Sequence, residues 1–202
     1  MHQKIVSHFQ KVDPIIYRII NRIEPLEPVE ISGNYFSDIC EAIINQQLSD
    51  KAARTIFNKF KELFPKKIIT AEILISIPDQ NIRNVGPSWK KVSFIKDLAL
   101  KLVSGKIKLN HLNRLTDEEV IIELTKIKGI GRWTAEMFLM FSLGREDVFS
   151  SGDLGLRRGI QKLYKLETEP TLEEIEKISN KWSPYRTFAA RIIWRANDLR
   201  ED

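Results

Sequence analysis

Between Thr125 and Leu143 the apolar spacing of a helix is broken by Gly129-Ile130-Gly131 and resumes at once with Arg132-Trp133. So short a break leaves the chain little choice but a tight corner between two helices, with glycine where φ is positive or another backbone comes close. Amides of the turn and of the next helix's first residues then lack intrahelical partners. With the helix dipole behind them, such amides suit a phosphate oxygen. Ile130, apolar between the glycines, predicts a side chain tucked inward to stiffen the turn. A Gly-X-Gly step by itself specifies no more than a helix corner.

The rest of the chain has the same texture. Helical spacing dominates, strand-like alternation is scarce, and only nine glycines are present to serve hairpins, which predicts an all-α protein. An opening helix is expected at about Asp13 to Ile23, before the extended "EPLEPVEISGN", where Pro25 and Pro28 resist helix continuation. A helix from about Ser37 to Phe64 should contain a turn near Ser49, whose hydroxyl can cap the following segment. "TAEILISI" and "DQNIRNV" read as short helices, and Gly86-Pro87-Ser88 as a breaker and cap before "WKKVSFIKDLALKLV". "LTDEEV" announces a helix from Asp117 to Ile127, and "TLEE" spells a capping box before a helix from Thr171 to Lys181. A last helix spans Tyr185 to Asp198.

With 202 residues, 43% hydrophobic and 29% charged, the chain can build one ample core or two small lobes. A net charge of +5 favours polyanionic partners without identifying one. Cys40 is the single cysteine, in the apolar run "DICEAII", so a disulfide framework and a multi-cysteine metal or iron–sulfur site are excluded. A buried thiol is the expectation, because none of His2, His8 and His111 stands in a context that suggests a thiol partner. The first residues, "MHQKIVSHFQKVDP", lack the apolar core of a signal peptide, and no run approaches the ~20 apolar residues of a membrane span. A cytoplasmic, reducing compartment is the expectation.

About twenty residues beyond the glycine corner, "DVFSSGDLGLRRGI" puts Asp153 at the start of a helix after a glycine-containing loop. An aspartate there is ordinarily a helix cap. The whole stretch "LTKIKGIGRWTAEMFLMFSLGREDVFSSGDLGLRRG" nevertheless resembles the helix-hairpin-helix and Gly/Pro…Asp signature of the HhH-GPD DNA glycosylase superfamily, and more narrowly its 3-methyladenine DNA glycosylase II branch. The resemblance runs from about Tyr35 to Trp194: "FSDICEAIINQQLSDKAA", "IRNVGPSWKKVSFIKDLA" and "WSPYRTFAARIIWRA" match further family segments in the right order. Ser151-Gly152 departs from it, standing where proline is common.

The resemblance implies a single HhH-GPD unit over 1–202, in two helical lobes with an active-site cleft between them. One lobe would comprise about 1–33 and 145–202, the other about 34–144 with the hairpin at 128–131. It implies Asp153 as the carboxylate beside the sugar, with Asp147 a loop residue. Trp133 and Trp194 would be the aromatic wall of the base pocket, Gln47 the wedge in the emptied stack, and Gly129, Ile130, Gly131 and Arg132 the phosphate-binding amides. For Trp89 and Trp182 core packing is expected, and Gln46 and Gln47 could instead satisfy helix-end backbone groups. Relatives that also cut the strand carry a lysine two positions after the last hairpin glycine. Trp133 stands there, so no Schiff base can form at that site.

The function so implied is monofunctional excision of alkylated purines such as 3-methyladenine and 7-methylguanine from double-stranded DNA. The protein would act as a monomer, without a required cofactor or iron–sulfur cluster; a sodium or potassium ion at the hairpin carbonyls is compatible with it. Two rivals stay open. One is a glycosylase of the same fold for deaminated or mismatched bases, and the other is a non-catalytic DNA clamp.

Overall fold

The computed structural model describes residues 2–23, 25, 26, 28, 29, 31 and 33–198. Its order is α1 (His2–Val12), α2 (Pro14–Ile20), α3 (Tyr35–Asn45), α4 (Asp50–Lys61), α5 (Ala71–Ser76), α6 (Asp79–Asn84), α7 (Trp89–Val103), α8 (Asp117–Thr125), α9 (Arg132–Phe141), α10 (Leu154–Leu163), α11 (Leu172–Ser179) and α12 (Arg186–Asp198). Among the described residues there is no strand, as the spacing predicts. No described helix is long and apolar enough to cross a membrane.

The boundaries follow caps. Thr116 and Thr171 each form a full capping box, with Glu119 and Glu174. Ser88 accepts from the Lys91 amide at the head of α7. Ser49 precedes α4 as expected but makes no side-chain cap bond. The opening differs from its expectation: a helix already begins at His2, and Asp13 ends it and starts the next. Pro14 forces that division, since it has no amide to donate into a continuing helix but fits the first turn of a new one.

The chain divides into two compact units, Met1–Glu30 with Leu139–Asp202, and Ile31–Phe138. In the first, α12 packs on α10 and α2. Gly159 permits the approach to α12, because a Cβ there would lie 2.3 Å from Ile193 Cγ2. The buried Asp13 carboxylate accepts from the Ile15 and Ile16 amides at 3.0 and 3.2 Å, from Trp182 Nε1 at 2.8 Å, and from the Tyr164 hydroxyl. Burial first, and Asp13 second, push the Tyr164 hydroxyl's pKa up. Trp182 is fully buried, as expected.

In the second unit, α7 packs against α3, α5 and α6. The core includes Ile43, Phe60, Leu74, Ile95, Leu98 and Leu112, all fully buried. Cys40 is buried here as well, and burial pushes its thiol pKa up. Trp89 departs from its expected core role and is 54% exposed. It is the first residue of α7, on a turn that has not yet met the core.

Candidate functional site

In the unit Ile31–Phe138 two turns lie side by side. The first joins α3 to α4. Asn45 ends α3, Gln46 is extended, and Gln47 has φ +58, a left-handed conformation unusual for a residue with a side chain. Gln47 is exposed, whereas Gln46 reaches across so that its Nε2 donates to the Gly129 carbonyl at 2.7 Å. The amide of Gln46 is thus bonded to the hairpin rather than to its own helix end.

The second turn is that hairpin. Gly129 has φ +86, and a Cβ on it would lie 2.2 Å from the Phe94 ring, so it is glycine for reasons inside the fold. Gly131 has neither constraint: its φ is ordinary and a Cβ would meet nothing within 4 Å. Ile130 is buried, as its apolar character predicts.

Among the described residues, the amides of Gly129, Gly131 and Arg132 donate to no backbone acceptor, and all three residues are exposed. The Ile130 amide donates to the Ile127 carbonyl at 3.1 Å, which removes it from the expected phosphate-binding set. Arg132 contributes its amide but not its guanidinium, which holds both Glu118 oxygens at 3.1 and 2.9 Å and Glu136 at 3.1 Å. Hydrogen bonding to Glu118 chiefly raises its pKa. At the head of α9 the exposed amides of Gly131 and Arg132 thus donate to no backbone acceptor among the described residues. Trp133, at its second position, is 48% exposed.

In the other unit, Asp153 caps α10. Its Oδ1 accepts from the Leu156 amide at 2.7 Å and from Trp194 Nε1 at 3.1 Å. The cap and the functional reading are therefore compatible: the cap orients the carboxylate, and the indole fixes it from a second direction. Gly155 allows this, because a Cβ there would lie 3.1 Å from Asp153 Oδ1 and 3.3 Å from Trp194 Nε1. Trp194 lies beside Phe141, ring centroids 6.1 Å apart and tilted by 33°. Phe141 is 41% exposed and is an aromatic neighbour that the sequence reasoning did not single out. Its position at the end of an apolar helical pattern was the available signal.

Asp147 is spent elsewhere, as its reading as a loop residue requires. It accepts from Arg186 Nε and Nη2 at 2.7 and 3.1 Å and from the Ser183 hydroxyl at 2.8 Å. Burial pushes its pKa upward, but the Arg186 and Ser183 bonds outweigh it and hold the carboxyl below the ordinary range. Thr187 fastens the same loop, donating to the Arg145 carbonyl at 2.6 Å and accepting from the Val148 amide at 3.0 Å. Arg157 is paired with Glu169 at 2.7 Å. Among the described residues no group of three or more His, Cys, Asp or Glu is placed to hold a metal ion.

These elements define a helix-hairpin-helix followed by a capped aspartate, and the chain belongs to the HhH-GPD superfamily of base excision DNA repair proteins, whose family model matches residues 40–184. Among its relatives, DNA-3-methyladenine glycosylase 1 of Schizosaccharomyces pombe is 38% identical over 191 residues, covering 92% of this chain and 79% of that protein. The DNA-3-methyladenine glycosylase of Saccharomyces cerevisiae is 29% identical, covering 97% and 80%. The S. pombe 3-methyladenine DNA glycosylase Mag1, solved in complex with abasic DNA, superposes with a TM-score of 0.86 at 34% identity, over 97% of each chain. A DNA-3-methyladenine glycosidase from Bacillus halodurans gives 0.82 at 34% identity, over 95% of this chain and 88% of that one.

Proposed function

We propose that the protein is a monofunctional DNA glycosylase that flips alkylated purines out of duplex DNA and hydrolyses their N-glycosidic bond, initiating base excision repair. The observation that carries the reading is the Asp153 carboxylate, held by the Leu156 amide and Trp194 Nε1 at the head of α10. A purine alkylated at N3 or N7 is cationic. When its C1′–N bond breaks, the bonding pair leaves with the base, which departs neutral, and positive charge develops on the sugar. A fixed carboxylate lowers that barrier electrostatically and orients the water that adds to C1′. The water gives up a proton to the solvent, leaving a C1′ hydroxyl at an abasic site and the free neutral base.

Other residues divide the remaining work. The open amides of Gly129, Gly131 and Arg132 would seat a phosphate. Contacts to the backbone give salt-sensitive, sequence-indifferent affinity. Exposed Gln47 would fill the emptied stack. Trp194 beside Phe141 offers indole and phenyl surface to a cationic base, an attraction of about 0.5–2 kcal/mol, and the exposed Trp133 is a candidate of the same kind. Trp133 supplies no amine, so the strand stays intact. A sodium or potassium ion, if bound, would be held by the hairpin carbonyls and would supply positive charge for a phosphate. Those carbonyls already take the Ile130 amide and Gln46 Nε2, with Lys101 Nζ at 3.4 Å from Lys126 O, so their fit to a cation is partial.

The test is base release from duplexes containing 7-methylguanine, 1,N6-ethenoadenine, hypoxanthine or uracil, and from randomly methylated DNA. Release of alkylated bases by the wild type, lost in Asp153→Asn and yielding strand breaks only after alkali, is expected. Binding without release from any substrate would overturn the reading in favour of a clamp, and release of uracil or hypoxanthine alone would overturn the alkylated-base specificity.

A further inference from the structure

The two turns of the unit Ile31–Phe138 are not independent, and the element that joins them is α7. Four of its residues, spaced three, three and four apart, each touch one of the turns. Lys91 Nζ donates to the Ile44 carbonyl at 2.8 Å and the Gln46 carbonyl at 2.6 Å, at the end of α3. The Phe94 ring closes the space against Gly129. Asp97 stands 3.4 Å from Lys128 Nζ, and Lys101 Nζ stands 3.4 Å from the Lys126 carbonyl. The Gln46 side chain closes the circuit to the Gly129 carbonyl.

A lysine on the last carbonyls of a neighbouring helix can be mere capping, and α7 contains such a case. Lys96 Nζ donates to the Ile75 and Ile77 carbonyls at 3.1 and 2.5 Å, at the end of α5. Lys91 differs in what its acceptors belong to. The Gln46 carbonyl is the peptide that precedes Gln47, and fixing it fixes the exposed left-handed residue that follows. The same Gln46 contributes the amide that grips the hairpin.

We propose that Lys91 is a positioning residue that locks the Gln46-Gln47 turn to the glycine hairpin, so that seating a phosphate on the hairpin and inserting Gln47 into the duplex occur as one event. The lock rests on the reading of Gln47 as the wedge. It converts a flexible two-glutamine turn into a rigid one and couples nonspecific backbone contact to interrogation of the stack.

The test measures affinity for two duplexes, one undamaged and one with a tetrahydrofuran abasic analogue beside 2-aminopurine, whose fluorescence rises when its neighbour unstacks. Neither readout requires catalysis. In Lys91→Met the preference for the abasic duplex should fall at least about tenfold and the fluorescence rise should shrink, while affinity for undamaged DNA stays within about threefold. Lys96→Met should keep the wild-type preference despite a comparable loss of stability. Lys91→Arg, which can still donate to two carbonyls, should restore most of it. If Lys91→Met does not fold, Gln46→Leu carries the same expectation. The lock is overturned if Lys91→Met, or Gln46→Leu in its place, keeps the full preference, or if Lys96→Met loses it equally. A wild type that prefers the abasic duplex but releases no base would sink the glycosylase reading and leave the lock standing. Release that survives in Lys91→Met with its preference intact would do the reverse.

Discussion

Helices α9 and α10 begin alike in sequence, each after a glycine-containing loop, and end up with opposite N-termini. At α9 the residue before the helix is Gly131, and the amides of Gly131 and Arg132 donate to no backbone acceptor among the described residues. At α10 the corresponding residue is Asp153, whose own carboxylate takes the Leu156 amide. At α10 the chain brings its own anion to the helix head; at α9, on the proposed function, the exposed Gly131 and Arg132 amides would take an anion that comes from outside. The physics of the helix terminus is the same in both. On the proposed function, the residue at the cap would decide whether the terminus takes a phosphate or aims a carboxylate.

The largest expected effect comes from neutralising the closed terminus. Asp153→Asn keeps an oxygen to accept from Leu156 and Trp194, so the fold should hold. Single-turnover excision should fall by at least about 100-fold, because the lost term is charge stabilisation in the transition state. Less drastic is Trp194→Phe, which keeps the ring against Phe141 but removes the Nε1 donor. Excision at saturating enzyme should drop by about tenfold with little change in melting temperature, reporting a carboxylate that has lost its bond to the indole.

On the open side, Gly129→Ala should destabilise the protein by about 2 kcal/mol in chemical denaturation, from the overlap with Phe94 and the positive φ together. Gly131→Ala has neither burden and should leave stability nearly unchanged, so comparing the two isolates the glycine that the fold needs.

The smallest effect is a pH dependence. The Asp147 carboxyl lies below its ordinary value of 3.8 in the folded chain, so its bond to Arg186 contributes stability above that value. The contribution is lost as pH falls through the folded value. Thermal melts of the wild type should therefore steepen in their acid dependence below about pH 4, and Asp147→Asn should flatten that part of the profile.

Much of this was legible in the sequence, for identifiable reasons. Caps are local, so the Thr116 and Thr171 boxes and the Ser88 start were readable from a few adjacent residues. The helix at His2–Val12 was not, because it lacks a strong start signal and Pro14 drew attention to the next one. Asp153 was readable as a cap, and the family resemblance added the expectation of a functional carboxylate. Its bond to Trp194, 41 residues away, depends on two glycines of α10 that let α12 come close, and no local pattern encodes that. The same holds for Lys91, which in sequence is one of two adjacent lysines and in the fold is the donor that fixes the Gln46 peptide. Trp89 shows the converse error: a large aromatic suggests core, but at the first residue of a helix it faces out.

The most direct test of the contrast between the two helix heads is to close the open one. Gly131→Asp gives α9 the kind of cap that α10 has, in a position with space for it, and should leave the melting temperature unchanged or slightly raised. Its dissociation constant for a methylated duplex, measured beside that of Asp153→Asn, should rise by at least about tenfold while its single-turnover rate at saturating enzyme survives. Asp153→Asn should show the mirror image, with affinity kept and rate lost. If both variants lose affinity and rate in parallel, or if Gly131→Asp binds as tightly as the wild type, the division of labour between an open and a closed helix head is wrong.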